Sequence, residues 1–179
     1  KLHPQVKARL DQIERVELVT HESAIRIIDK TGPLHNPADR DHCLQYMVAI
    51  GLIFGELTAQ HYEDKIAADP RIDALRAKMT VLEDKAYSKN YLDAEQRSIA
   101  NAVQVFFKDG TKTERIEVHF PIGHRRRRAE GIPVLQQKAR AAFAAHYGEP
   151  KAADLMALFS NRTKLETIPV HDLVSAFVK

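Results

Sequence analysis

His42 and Tyr46 stand four positions apart in the run ADRDHCLQYMVAIGLIFG, Ala38 to Gly55, where a helix places an imidazole and a phenol on one face. Such a pair can give and take a proton if that face lines a cleft. The same spacing equally serves a histidine that bonds a loop carbonyl and a tyrosine that packs its ring. The nearby cations Arg26, Lys30 and Arg40 can hold carboxylates, as bidentate forks or as point charges, or can sit in solvent. Further on, Gly123 to Arg128 reads GHRRRR. Four consecutive arginines ask for an anion, whether a nucleic-acid backbone, a small polycarboxylate or only water and acidic neighbours.

Other chemistries lose support. The chain carries no Gly-x-Gly-x-x-Gly, no phosphate-binding loop ending in Lys and Ser or Thr, no Gly-x-Ser-x-Gly and no His-Glu-x-x-His. Nine histidines are scattered without ligand spacing, so no metal site is expected. Cys43 is the sole cysteine, which excludes an intramolecular disulfide. With 27 basic against 24 acidic residues, the charge balance does not fit a dedicated polyanion binder, whose footprint is clustered excess charge. No apolar stretch is long enough to span a bilayer, so no membrane partner is expected.

The elements that must position these residues follow from periodicity and punctuation. At 179 residues with 44% apolar side chains, the chain can bury a sizeable core. Leu2 to Leu10 reads as a helix or linker, and Ile13 to Thr20 alternates as a strand. Ser23 to Asp29 reads as a second strand or the start of a loop. TGPLHNP, Thr31 to Pro37, forbids regular structure. One helix is expected from Ala38 to Gly55, capped by Asn36 or Asp39, apolar on nearly every side, with Asp39, His42, Gln45 and Tyr46 on one stripe. Short helices at Thr58 to Asp64 and Pro70 to Met79, a strand at Thr80 to Glu83 and a connector at Tyr91 to Ala94 follow. Val103 to Phe107 and Arg115 to Phe120 flank Asp109-Gly110 as a hairpin. Helices are expected at Ile132 to Tyr147, Ala152 to Phe159 and Val170 to Val178. The fold class is α+β: a small mixed domain with a β-hairpin and a buried helix, followed by a carboxy-terminal helical segment.

The run ESAIRIIDKTGPLHNPADRDHCLQYMVAIGLIFGELTAQHYED, with DPRIDALRAKM and QRSIANAVQVFFKDGTKTERIEVHFPIGHRRRRAEGIPVL, resembles the carboxy-terminal portion of the MmgE/PrpD superfamily, in its 2-methylcitrate-dehydrating branch. The resemblance implies an α+β lid-type domain at 1–130 and a helical segment at 131–179 that packs on an amino-terminal helical domain preceding this chain. It implies a cytoplasmic carbon-oxygen lyase, free of cofactor, that removes water from 2-methylcitrate to give 2-methylaconitate in propionate catabolism. By that likeness His42 and Tyr46 are the catalytic candidates, and Lys30, Arg40 and His124 contact the tricarboxylate. The missing amino-terminal domain is the expected partner, a homodimer is allowed, and no nucleic acid is expected. A chain lacking that domain should be inactive by itself. Cis-aconitate decarboxylases and amino-dicarboxylate epimerases belong to the same superfamily and remain alternatives, as does a basic nucleic-acid-binding module. GHRRRR reads best as an interdomain turn, with His124 toward a polycarboxylate.

Overall fold

Alternation along Ile13–Thr20 makes β1, which sends Val16, Leu18 and Thr20 inward and leaves Glu14 and Arg15 exposed. It forms the middle of a four-stranded sheet in the order β2-β1-β3-β4. β2, Met79–Glu83, runs parallel to β1, with Val16 opposite Met79. β3, Asn101–Phe107, is antiparallel to β1, with Val16 opposite Val105. β4, Ile116–Val118, closes the far edge. This computed structural model describes residues 1–178 and separates into two compact units, Lys1–Phe120 and the residues from Pro121 on.

In the first unit, a parallel partner for β1 requires a crossover, and helices supply it. After α1, His3–Val6, and β1 come α2, Glu22–Ile28; α3, Pro37–Asp41; α4, Leu44–Phe54; α5, Asp64–Ala67; and α6, Pro70–Arg76. α4 is the buried helix expected from its composition. Its Ala49, Ile50, Leu52 and Ile53 join Ile72 and Leu75 of α6 and Ile13, Val16, Leu18 and Val105 of the sheet in one core. Each of the large aliphatic side chains there contributes about 1.5–3 kcal/mol through burial. Gly55 ends α4 at φ +82°, and a Cβ at that position would lie 2.8 Å from the His3 ring. The stop therefore needs glycine for both conformation and space.

Several expectations change. The single helix from Ala38 to Gly55 is two helices: His42 and Cys43 leave helical geometry, and Cys43 is extended (φ −125°, ψ 109°) as the residue before α4. The break lets the fully buried Cys43 turn under the preceding loop, where its thiol reaches the Lys30 carbonyl. Ser23 to Asp29, expected as a strand or the start of a loop, is helical through Ile28 in α2, and Asp29 ends that helix. His21 caps it by accepting from the Ala24 amide at 3.2 Å, a local signal that outweighs three β-branched isoleucines. A further helix, α7, Lys85–Leu92, was not expected; Asp84 caps it through the Ala86 and Tyr87 amides. The hairpin is present, with Gly110 at φ +81°. Its second strand shortens to β4 because Val105 meets Thr113 while Val103 meets Ile116, leaving one extra residue on that side, a bulge.

The second unit is helical: α8, Arg128–Tyr147; α9, Glu149–Ser160; α10, Arg162–Thr167; and α11, Val170–Ser175. Phe143 of α8, Phe159 at the end of α9 and Phe177 just after α11 have ring centroids 6.0–6.3 Å apart. Leu155 and Leu158 of α9 are buried in the same unit. The α+β class with carboxy-terminal helices is thus the one the sequence implied.

Candidate functional site

The loop Asp29 to Leu34 leaves α2 and is tied down from beneath at three points. Gln45 of α4 donates its amide to the Asp29 carboxylate. The Cys43 thiol lies 3.4 Å from the Lys30 carbonyl oxygen. Arg76 of α6 donates from Nη2 to the Gly32 carbonyl at 2.9 Å. Gly32 sits at φ +84°, so the turn suits a residue without Cβ. Under this loop lies a cavity of about 410 Å³ whose walls include Lys30, Gly32, Gln45, Asp73, Arg76 and Met79.

Lys30 stands on the wall with its ammonium 3.9 Å from Asp39, a loose pairing that leaves the cation able to take another anion. The Arg76 guanidinium is more committed: its side chain is 8% exposed, Nη1 lies 2.5 Å from Asp73 and Nη2 holds Gly32. Its Nε is buried without an acceptor among the described residues. No histidine lines the cavity. The walls can hold an anionic or hydrogen-bonding group, but they bring no imidazole to move a proton.

The residues singled out from sequence do not gather in this cavity. Lys30 lines it. Arg40 is the buried residue of α3, donating to the Tyr62 carbonyl at 2.6 Å and pairing with Asp64 at 2.7 Å. His42 is largely exposed, with Nδ1 2.5 Å from the Asp41 carboxylate. Tyr46 is 2% exposed and donates its hydroxyl to the His61 carbonyl at 2.6 Å. Burial pushes its phenol above the usual range, against the opposing influence of Arg40. The helix break at His42 and Cys43 removes the shared face on which the His42–Tyr46 pairing was reasoned: one ring faces solvent and the other the core. His124 belongs to the second unit, where its Nδ1 accepts from the Arg126 amide and caps the short turn Arg125–Arg127.

Gln45 was legible as a polar residue on an apolar helix. Arg76 was not, since an arginine in the last turn of a helix is ordinary dipole chemistry. A second cluster ties α7 to β4: the buried Tyr87 donates to Glu117, Arg115 reaches both, and His119 Nε2 lies 3.2 Å from Glu117. Burial and the Glu117 hydrogen bond raise the Tyr87 phenol to about 12. Among the described residues no group of three or more His, Cys, Asp or Glu could hold a metal ion, and no helix is long and apolar enough to cross a membrane.

Comparison with known proteins adds what geometry alone does not. Residues 1–161 match the family described as the MmgE/PrpD C-terminal domain. The 2-methylcitrate dehydratase of Cupriavidus necator is 50% identical over 165 residues, 92% of this chain and 34% of the relative. That of Escherichia coli K12 is 50% identical over 166 residues, 93% of this chain and 34% of the relative. The mitochondrial 2-methylcitrate dehydratase of Yarrowia lipolytica is 46% identical over 181 residues, covering 99% of this chain and 34% of the relative. The chain therefore spans about a third of the length of the curated relatives it matches.

Proposed function

Since the chain belongs to the MmgE/PrpD family, matching its C-terminal domain over residues 1–161, we propose that it is the carboxy-terminal part of a hydro-lyase acting on 2-methylcitrate. The observation that carries this reading is the identity of 46–50%, over nearly the whole chain, to relatives called 2-methylcitrate dehydratase. The elimination needs a base for the proton beside a carboxylate, an acid for the departing hydroxyl, and cations for the carboxylates. In this proposal Lys30 supplies one such cation from the cavity wall. His42, exposed beside Asp41, is the proton carrier this chain has to offer. Tyr46 and Arg40 support the site through the carbonyls of His61 and Tyr62, and His124 and the arginines after it belong to the turn that opens the second unit. The upstream part of a longer chain completes the site; it covers Ile132, Val134 and Leu135 of α8, which are 49%, 45% and 58% exposed.

The test joins this chain to the upstream two thirds of the Cupriavidus necator relative and follows formation of the product's conjugated double bond. The chain alone is expected to show no turnover, and the chimera to dehydrate 2-methylcitrate. Lys30→Met in the chimera should raise KM about tenfold with a smaller change in kcat, the scale of one charge-assisted contact. Turnover by the isolated chain, or a chimera inert toward 2-methylcitrate yet active in decarboxylating cis-aconitate or epimerising an amino-dicarboxylate, would overturn the reading.

A further inference from the structure

We infer that Arg76 is a positioning residue for Lys30: through the Gly32 carbonyl it closes the 29–34 loop and presents the ammonium to a carboxylate in the cavity. The inference rests on the proposed carboxylate role of Lys30 and extends it to a residue with no evident place in the chemistry.

The loop offers little to hold itself. Gly32 at φ +84° and Pro33 interrupt any regular ladder, so its position depends on side chains reaching up from α4 and α6. Of the three ties, the thiol contact is a weak hydrogen bond and the Gln45 amide fixes only Asp29, where the loop leaves α2. The Arg76 contact is charge-assisted and grips the apex. Arg76 is itself held in register by Asp73, three residues earlier on α6. The side chain is 8% exposed and both terminal nitrogens are engaged, Nη1 with Asp73 and Nη2 with Gly32. A flexible, exposed arginine would be held at neither, and its bond to Gly32 would then be incidental.

Closure also has a built-in reporter. Cys43, the only cysteine, has no exposed surface and lies directly against the Lys30 carbonyl. Opening of the loop uncovers that thiol. The rate at which a disulfide reagent labels Cys43 under native conditions therefore measures the open fraction, while hydrogen exchange at the paired amides of β1 and β3 measures unfolding of the unit.

In the 179-residue chain, Arg76→Met is expected to raise the Cys43 labelling rate about tenfold, the factor that loss of one charge-assisted bond implies, with exchange in β1 and β3 rising far less. Arg76→Lys, which can still reach a carbonyl with one donor, should restore part of the protection. Labelling unchanged in Arg76→Met, or rising only in step with sheet exchange, would overturn the positioning role. Citrate, the probe for the carboxylate site, should slow labelling of Cys43 in the chimera that carries the upstream part, read on the Cys43 peptide by mass, and lose this effect in Lys30→Met. If citrate leaves Cys43 of the chimera unaffected while Arg76→Met still exposes the thiol, the loop clamp stands and the carboxylate role of Lys30 fails, which separates the two ideas.

Discussion

Replacing Tyr46 by phenylalanine tests whether this residue serves the fold or the chemistry. The substitution removes one hydroxyl and keeps the ring, which is 2% exposed against α4 and its neighbours, so no side-chain cavity opens. What is lost is the 2.6 Å bond to the His61 carbonyl. His61 is itself 8% exposed, so water does not readily replace the donor. A buried acceptor left unpaired costs about 1–3 kcal/mol, which for a unit of this size lowers the melting temperature by roughly 3–5 °C per kcal/mol. Two units call for a local probe, because one global melting curve mixes them. Native-state hydrogen exchange at the β1–β3 amides in increasing urea gives the first unit's stability directly. A change below about 0.5 kcal/mol, the ordinary surface-substitution range, would refute the reasoning that commits the hydroxyl to the core. The catalytic alternative makes the opposite forecast for the chimera: stability hardly changed, and turnover down about 10²- to 10⁴-fold.

Two further outcomes follow from the same contacts. His21 accepts from Ala24 through Nδ1 and stacks on Tyr91 with centroids 4.2 Å apart, and burial lowers its pKa from 6.5. The fold thus favours the neutral ring; that stability is complete above the unfolded-state value and declines as pH falls below it toward the lowered folded value. The first unit should lose stability between pH 7 and pH 5, and His21→Asn, which keeps a capping oxygen, should flatten that part of the pH profile. In the second unit, Leu155 is 2% exposed, and Leu155→Ala should destabilise it by about 2–5 kcal/mol, read as faster exchange of α9 amides.

How much of this was legible in the sequence depends on how far each determinant reaches. Alternation along Ile13–Thr20, the Asp109-Gly110 turn and the apolar run of α4 are local signals, and each gave its element and the α+β class. The family likeness was equally legible, carried by the long string from Glu22 to Asp64. The polar stripe on α4 correctly announced that Gln45 needs a partner, but not that the partner is Asp29.

What only the tertiary structure decided is where partners are remote in sequence. Periodicity ran one helix through His42 and Cys43, because nothing local says that a thiol will be drawn under the Lys30 carbonyl. Across that break His42 is exposed while Tyr46 lies in the core. The Arg76–Gly32 contact joins residues 44 apart, and neither residue type is unusual where it stands. Hydrophobic period and turn chemistry are written into neighbouring residues, so β1, the hairpin and the apolar helix could be read from the chain alone. The cavity wall depends on which α4 and α6 side chains arrive beneath one loop, and packing alone settles that.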